Sequence, residues 1–381
     1  MVNVVKLQHA SVKLYFYYLH TVFGVTAVRV LVLGAGRVGS VVAEELSRDY
    51  DVTVADSSLG KLSRFESRAR ITLIDARDAA KLADLIKGFD VVVDALPGSL
   101  GYGVLKLCTK LRRNLVDVSF MPEDPLPLSK EVEEAGIVVA VDAGFAPGLS
   151  NAFVGRMYAE LGEIERAVIN VGGLPKEPRP PLYHLVLFSP YDLIDEYLRP
   201  ARLVRDYKVV EVDPLSIIER VRVGPFELEM FPTDGLRTLL HTVRAREMAE
   251  YTLRWPGHLE RMRVLKELGF FKPENLDRTL AVILPLMQYE SPDLSLMEVV
   301  VTSASGWGRL YLYDEAAGGH TSMARVTGFV TSATARLLIE GRLPKGLTSP
   351  EKLGVERELF NYVVEYLRAR GVKVEVTYSP P

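Results

Sequence analysis

Thiols are almost absent from this chain. Its 381 residues hold one cysteine, Cys108, which excludes an intrachain disulfide and argues against a thiolate-bound zinc. So few thiols point to a reducing cytoplasm. Side-chain amides are also scarce, with six asparagines and two glutamines. Such depletion is common in heat-adapted proteins, so a thermophilic source is expected. Neither sign of charge dominates. Lys plus Arg total 46 and Asp plus Glu total 49, giving a net charge of −3, so no global field attracts nucleic acid or an anionic membrane. The six histidines include no close pair at metal-ligand spacing, and no metal is expected. Residues 14–28 carry no formal charge, but the stretch is too short to span a bilayer. His20 and three tyrosines make it a poor signal peptide. We expect residues 1–27 to be an N-terminal extension, either from a start assigned too far upstream or as an accessory strand or helix.

What is present is an ordinary globular balance of 48% apolar and 25% charged residues. From Val28, short apolar runs alternate with helical spacing. Val28–Leu33, Val52–Ala55, Ile71–Ile74, Val91–Val93, Leu115–Val118 and Ile137–Val141 are predicted strands. Strands separated by helices predict a doubly wound parallel sheet. The rhythm changes near Asn151. Ala167–Val171, Leu182–Phe188, Lys208–Val212, Ile217–Val223 and Phe226–Phe231 then predict a mostly antiparallel sheet. Met248–Phe271, broken at Pro256, and Pro273–Met287 are predicted helical. A hairpin is expected around Ser305-Gly306-Trp307, helices over Met323–Ile339 and Pro350–Arg370, and a last strand over Val372–Val376. The fold class is therefore α/β, a Rossmann-type doubly wound parallel sheet with a second, mostly antiparallel domain.

Gly34-Ala35-Gly36-Arg37-Val38-Gly39 follows the first buried strand and opens a helix, the context a dinucleotide fingerprint requires. Gly34 permits the tight turn, Gly36 lets backbone amides approach a pyrophosphate, and Gly39 seats the helix against the strand. Asp56 ends the next strand, where a ribose-binding carboxylate belongs. Its charge favours NAD over NADP, although Arg64 lies nearby. Asp75 either reaches the adenine or caps the following helix. Ala95-Leu96-Pro97 follows the fourth strand and is expected along the cofactor, because strand C-termini face the ligand crevice.

Beyond these generic features, Asp117-Val118-Ser119-Phe120-Met121 and the run Asp142–Asn151 resemble the saccharopine dehydrogenase-like superfamily, and within it the L-lysine 6-dehydrogenases. Further matching segments are Gly172–Pro175, Arg199–Arg202, Asp234–Arg237, Thr252–His258 and Met323–Phe329. The resemblance implies a nucleotide domain over residues 28–150 plus 320–381 and a substrate and dimerisation domain over 151–319. It implies NAD-dependent oxidative deamination of the 6-amino group of L-lysine, giving 2-aminoadipate 6-semialdehyde, ammonia and NADH, and at least a homodimer. A saccharopine dehydrogenase acting on a secondary amine, or a silent nucleotide-binding homologue, are the alternatives.

That chemistry needs a group to hold the α-carboxylate, a base for the ammonium and a positioned water. Arg237 suits the carboxylate, since a guanidinium matches it in bidentate geometry. Asp234 either meets an ammonium or caps a helix. Asp117 and Asp142, at strand ends on the crevice side, suit an amine or a water. His184 and His241 are candidate proton shuttles, and Tyr183 is a candidate hydrogen-bonding partner for substrate. Saccharopine, with three carboxylates, should require several cations, whereas Phe231–Leu239 offers one arginine.

Overall fold

The structure is a computed structural model that describes residues 28–379. Seven parallel strands form the first sheet: β1 (Arg29–Leu33), β2 (Asp51–Asp56), β3 (Arg70–Leu73), β4 (Val91–Asp94), β5 (Asn114–Asp117), β6 (Val138–Ala140) and β15 (Gly346–Thr348). Their spatial order is β3-β2-β1-β4-β5-β6-β15. β1 shows why such a strand is continuously apolar. Val30 and Val32 enter the core beneath helices Arg37–Leu46 and Ser322–Ile339, while Leu31 and Leu33 enter the opposite core with Val104 and Leu105. Both faces are buried, so the pattern has no polar alternation. The order reverses between β1 and β4, and the loops leaving their C-terminal ends open a crevice there.

The second sheet is mixed. It contains β7 (Ile164–Pro175), β8 (Ala201–Arg205), β9 (Lys208–Val212), β10 (Glu219–Val223), β11 (Phe226–Pro232), β12 (Ala245–Arg254), β13 (Asp293–Ser303), β14 (Gly306–Glu315) and β16 (Lys373–Tyr378). The main order is β10-β11-β12-β7-β13-β14-β16. The β12–β7 pair is parallel, and the other pairs are antiparallel. One apolar core runs from Val30 and Val32 to Ile169 and Val299, so the two sheets share an interior. Helix Ser322–Ile339 crosses helix Arg37–Leu46 closely enough that a Cβ on Gly328 would lie 2.7 Å from that of Val41. No helix among the described residues is long and apolar enough to cross a membrane.

Three expectations change. Met248–Arg254 is not helical but the greater part of β12, held between β7 and β11. Helix begins only at His258, after Pro256. Leu182–Phe188 is not a strand but an irregular segment, because Leu182 and Val186 drop into a helical core with Leu259 and Met262. The last strand, expected with the nucleotide unit, pairs with β14 in the second sheet. Residues 1–27, where the extension was expected, lie outside the described residues.

Candidate active site

A cleft of about 670 Å³ lies between the C-terminal ends of the first sheet and the face of the second. Its first half is the glycine loop. Gly34 has φ +97°, and a Cβ there would lie 2.6 Å from the Ala95 carbonyl. A Cβ on Gly39 would fall 1.9 Å from the Gly34 carbonyl oxygen. Gly36 differs: a Cβ would meet nothing within 4 Å, since its missing side chain faces the cleft. Helix Arg37–Leu46 starts there without a side-chain cap, leaving its first N–H groups and positive dipole end to an anion. The Asp56 carboxylate accepts from the backbone N–H of Ala35 (2.8 Å) and of Ser58 (2.8 Å), and Lys61 stands 3.9 Å away. Arg64 donates to the Ala35 carbonyl. Val38, Leu96 and Pro97 complete this half. The turn, the uncapped helix and the ribose-side carboxylate fit a nicotinamide dinucleotide. Across the cleft, Arg37 Nη1 donates to the Val186 carbonyl (2.8 Å), tying the glycine loop to the second half.

The second half is built from paired charges. Asp234 receives Arg202 through both oxygens (2.7 and 2.8 Å). Glu196 accepts from Arg254 (2.6 Å), Asp195 pairs with Arg199, and Asp142 with Arg237 (3.2 Å). Glu250, fully buried on β12, has no cation. Its Oε1 accepts only from Thr233 Oγ1 at 3.4 Å, and its Oε2 accepts nothing. Burial first, then the charges of Glu196 and Asp234, raise its pKa to about 8. Asp142 Oδ1 also lacks a partner. The backbone is strained at the same place. Phe120 (φ +56°), Asp142 (+49°) and Arg237 (+53°) occupy the left-handed region, where non-glycine residues are rare and concentrate at functional sites. The guanidinium groups of Arg199 (5.2 Å) and Arg237 (5.4 Å) both lie over the Phe120 ring.

The expected residues divide cleanly. Gly34, Ala35, Gly36, Arg37, Val38, Asp56, Ala95, Leu96, Pro97, Asp142 and Asp234 line the cleft. Gly39 stands behind the loop it shapes. Asp75 does not reach the cleft. Its carboxylate is exposed and chelates Arg77, which lowers its pKa to about 2. Asp117 lies beneath the floor, beside Asp94 in the β4–β5 register, and accepts from Ser119. Burial and the Asp94 charge hold its pKa well above the carboxylate range, and Asp94 is raised to about 6 by burial. The two form one acid pair under the loops, not a substrate contact. Arg237 is not free to take a carboxylate: its side chain is 2% exposed and committed to Asp142 and the Glu123 carbonyl. Asp234 caps no helix, because Arg202 occupies both its oxygens.

The aromatic and histidine candidates also lie elsewhere. His241 is exposed at the surface, 3.6 Å from Asp124. His184 sits behind the wall against His258, with ring centroids 4.9 Å apart. Burial and the Arg254 charge keep it neutral, with a pKa well below the usual value. Tyr183 packs under Arg261. Glu250 was missed because its segment read as helix, and Glu196 and Arg199 because nothing in their spacing marks a crevice; Arg254, like Arg202, was legible only as one more cation available to a carboxylate.

Two family models match the chain: the saccharopine dehydrogenase NADP binding domain over residues 30–140 and the saccharopine dehydrogenase C-terminal domain over residues 144–372. A mitochondrial alpha-aminoadipic semialdehyde synthase of Mus musculus is 28% identical over 311 residues, covering 74% of this chain and 34% of that protein. The chain therefore spans about a third of that relative's length. The L-glutamate-forming, NADP(+) saccharopine dehydrogenase of Saccharomyces cerevisiae is 23% identical over 262 residues, 64% of this chain and 59% of that one. The apo structure of a yeast saccharopine dehydrogenase (L-Glu forming) superposes with a TM-score of 0.75 at 19% identity, covering 92% of this chain and 99% of that one, and shares its fold.

Proposed function

This chain belongs to the saccharopine dehydrogenase family, and from that premise we propose that it oxidises the 6-amino carbon of L-lysine with a nicotinamide dinucleotide, releasing the semialdehyde and ammonia. The observation that carries this reading is the charge count of the second half-cleft. Arg199, Arg202, Arg237 and Arg254 each have a carboxylate partner, and two cleft carboxylates are left over, the half-buried Asp192 and the fully buried Glu250. Each of these guanidinium groups is already at least partly neutralised, and Arg199, with its Nη1 unpartnered, offers a donor for one carboxylate rather than for the three of saccharopine. Such a site suits a substrate that brings its own positive charge, because an ammonium among Asp142, Asp234 and Glu250 relieves their mutual repulsion.

When bound, the dinucleotide supplies the hydride acceptor. Gly36 and the helix start at Arg37 hold its pyrophosphate, and Asp56 its ribose. Asp56 favours NAD, and Lys61 and Arg64 beside it leave a seat for the extra phosphate of NADP. The Asp142 carboxylate, fixed by Arg237, stabilises positive charge on the substrate nitrogen. Arg199, whose Nη1 has no hydrogen-bond partner, takes the distant α-carboxylate.

Saccharopine is the second reading. It is favoured by the names of the relatives and by Arg199 and Arg254 lining the cleft. Steady-state assays offering L-lysine and saccharopine with NAD and with NADP decide between them. Lysine-dependent ammonia release supports the first reading, and turnover with saccharopine alone supports the second.

A further inference from the structure

Resting on the amine-oxidising reading, we infer that Glu250 is the acid–base residue of the site, its Oε2 taking the proton that the reacting ammonium must lose. The inference starts from elimination among the groups at the cleft and in the wall behind it: Asp192 has no cation but is only half-buried, and Asp195 is held by Arg199. Asp234 is saturated by Arg202, Glu196 is held by Arg254, and Asp142 keeps one oxygen on Arg237. Both ring nitrogens of His258 are engaged, by the Tyr197 hydroxyl (2.8 Å) and the Leu182 carbonyl (2.6 Å). Among the described residues, Glu250 is the one fully buried cleft carboxylate with no cation partner.

The surroundings hold it in that role. Glu250 and Thr252 project from the same face of β12. Thr252 Oγ1 pairs with Thr233 Oγ1 at 2.8 Å, and Thr233 in turn reaches Glu250 Oε1. Gly235 makes room: a Cβ there would lie 1.7 Å from Oε1. The charges facing the carboxyl are Glu196 on helix Pro190–Leu198, Asp234 after β11 and Asp142 after β6, while the guanidinium groups of Arg254, Arg202 and Arg237 are committed to those acids.

In the transfer, an N–H bond of the ammonium breaks and an O–H bond forms on Oε2. The electron pair stays on nitrogen, where it is needed when the neighbouring carbon gives up hydride. An ordinary carboxylate of pKa about 4 would hold that proton roughly a millionfold less well than an amine of about 10. With Glu250 raised to about 8, the mismatch shrinks to roughly a hundredfold.

The test is the pH profile of kcat/KM for L-lysine in wild type, Glu250→Gln and Glu250→Ala. It is paired with infrared titration of the protonated carboxyl in the nucleotide-free protein and with nucleotide binding by fluorescence. The expected result is a wild-type limb rising to an inflexion near pH 8. Glu250→Gln should lose that inflexion, fall about 10²–10⁴-fold in rate, and keep its nucleotide affinity. Formate should restore part of the Glu250→Ala rate. The infrared band should titrate near 8 and vanish in Glu250→Gln. Glu250→Gln within about threefold of wild type and retaining the inflexion would overturn the inference. So would a carboxyl titrating near 4, whatever the substrate proves to be. Wild type silent with every amine, yet titrating near 8, would remove the reaction and with it the role assigned here.

Discussion

Asp142 and Arg237 form a buried ion pair, with side chains 1% and 2% exposed. Removing one partner of such a pair strands the other charge in a medium that cannot solvate it, at a cost of about 3–5 kcal/mol. Arg237→Ala should therefore lower stability by that order in urea unfolding. A solvent-accessible carboxylate clamp would instead raise KM for lysine with unfolding unchanged. Glu250 gives a prediction of opposite sign. Its folded-state pKa of about 8 lies above the unfolded carboxylate value of about 4, so the native state holds more protons between those limits. Stability falls as pH rises through that window. Glu250→Gln should leave the melting temperature near wild type at pH 5 and raise it at pH 9; an equal shift at both values would contradict the burial argument. Residue types at strand ends made Asp56 and Asp142 legible from sequence. The commitment of Arg237 to a partner 95 positions away was not, since one residue's chemistry does not reveal what neutralises it.

Two glycines of one loop separate binding from folding at the level of elements. Gly36→Ala adds a methyl group into open cleft at a permitted φ of −70°. It should change stability by no more than about 0.5 kcal/mol and weaken nucleotide binding at least about tenfold, about 1.4 kcal/mol. Gly39→Ala drives a methyl group against the Gly34 carbonyl and should cost about 1–3 kcal/mol or more, read by thermal melting. Equal stability losses in the two variants would contradict the assignment. The β1–turn–helix unit was readable because tight turn, phosphate approach and helix packing each require glycine at a set spacing. β12 was not. It is buried between β7 and β11, and its mixture of Glu247, Met248, Glu250 and Leu253 satisfies helical spacing as well as it satisfies a strand. Partners contributed by β7 and β11, remote in sequence, decide the outcome. Glu250 went unread for that reason, lying in a segment expected to be helical when it stands on a strand of the cleft wall. The Asp94–Asp117 pair belongs to this scale as well, because it joins the ends of β4 and β5 under the Leu96-Pro97 loop.

For the whole molecule, the parallel sheet and the second sheet were expected from the pattern of short apolar runs, and the structure has both; a crevice was expected at the strand C-termini of the first sheet, and that the second sheet forms its other wall is seen only in the structure. Most of the balance of charge across the crevice appears only in three dimensions, because Arg202, Arg237 and Arg254 are neutralised from remote elements, whereas Arg199 pairs with Asp195 of its own helix. At the nucleotide end, Asp56→Ala removes a ribose acceptor while leaving Lys61 and Arg64 in place. The ratio of NAD to NADP dissociation constants should therefore rise at least about tenfold in fluorescence titrations; an unchanged ratio would contradict the role given to Asp56. The central claim is that a half-cleft of neutralised arginines and surplus carboxylates, Glu250 the fully buried one, acts on a substrate carrying an ammonium. The most direct measurement is reduced-nucleotide formation at alkaline pH, with L-lysine and saccharopine offered in parallel and ammonia quantified. The account predicts turnover with lysine and ammonia released in equal amount. Turnover with saccharopine alone, without ammonia, would contradict it.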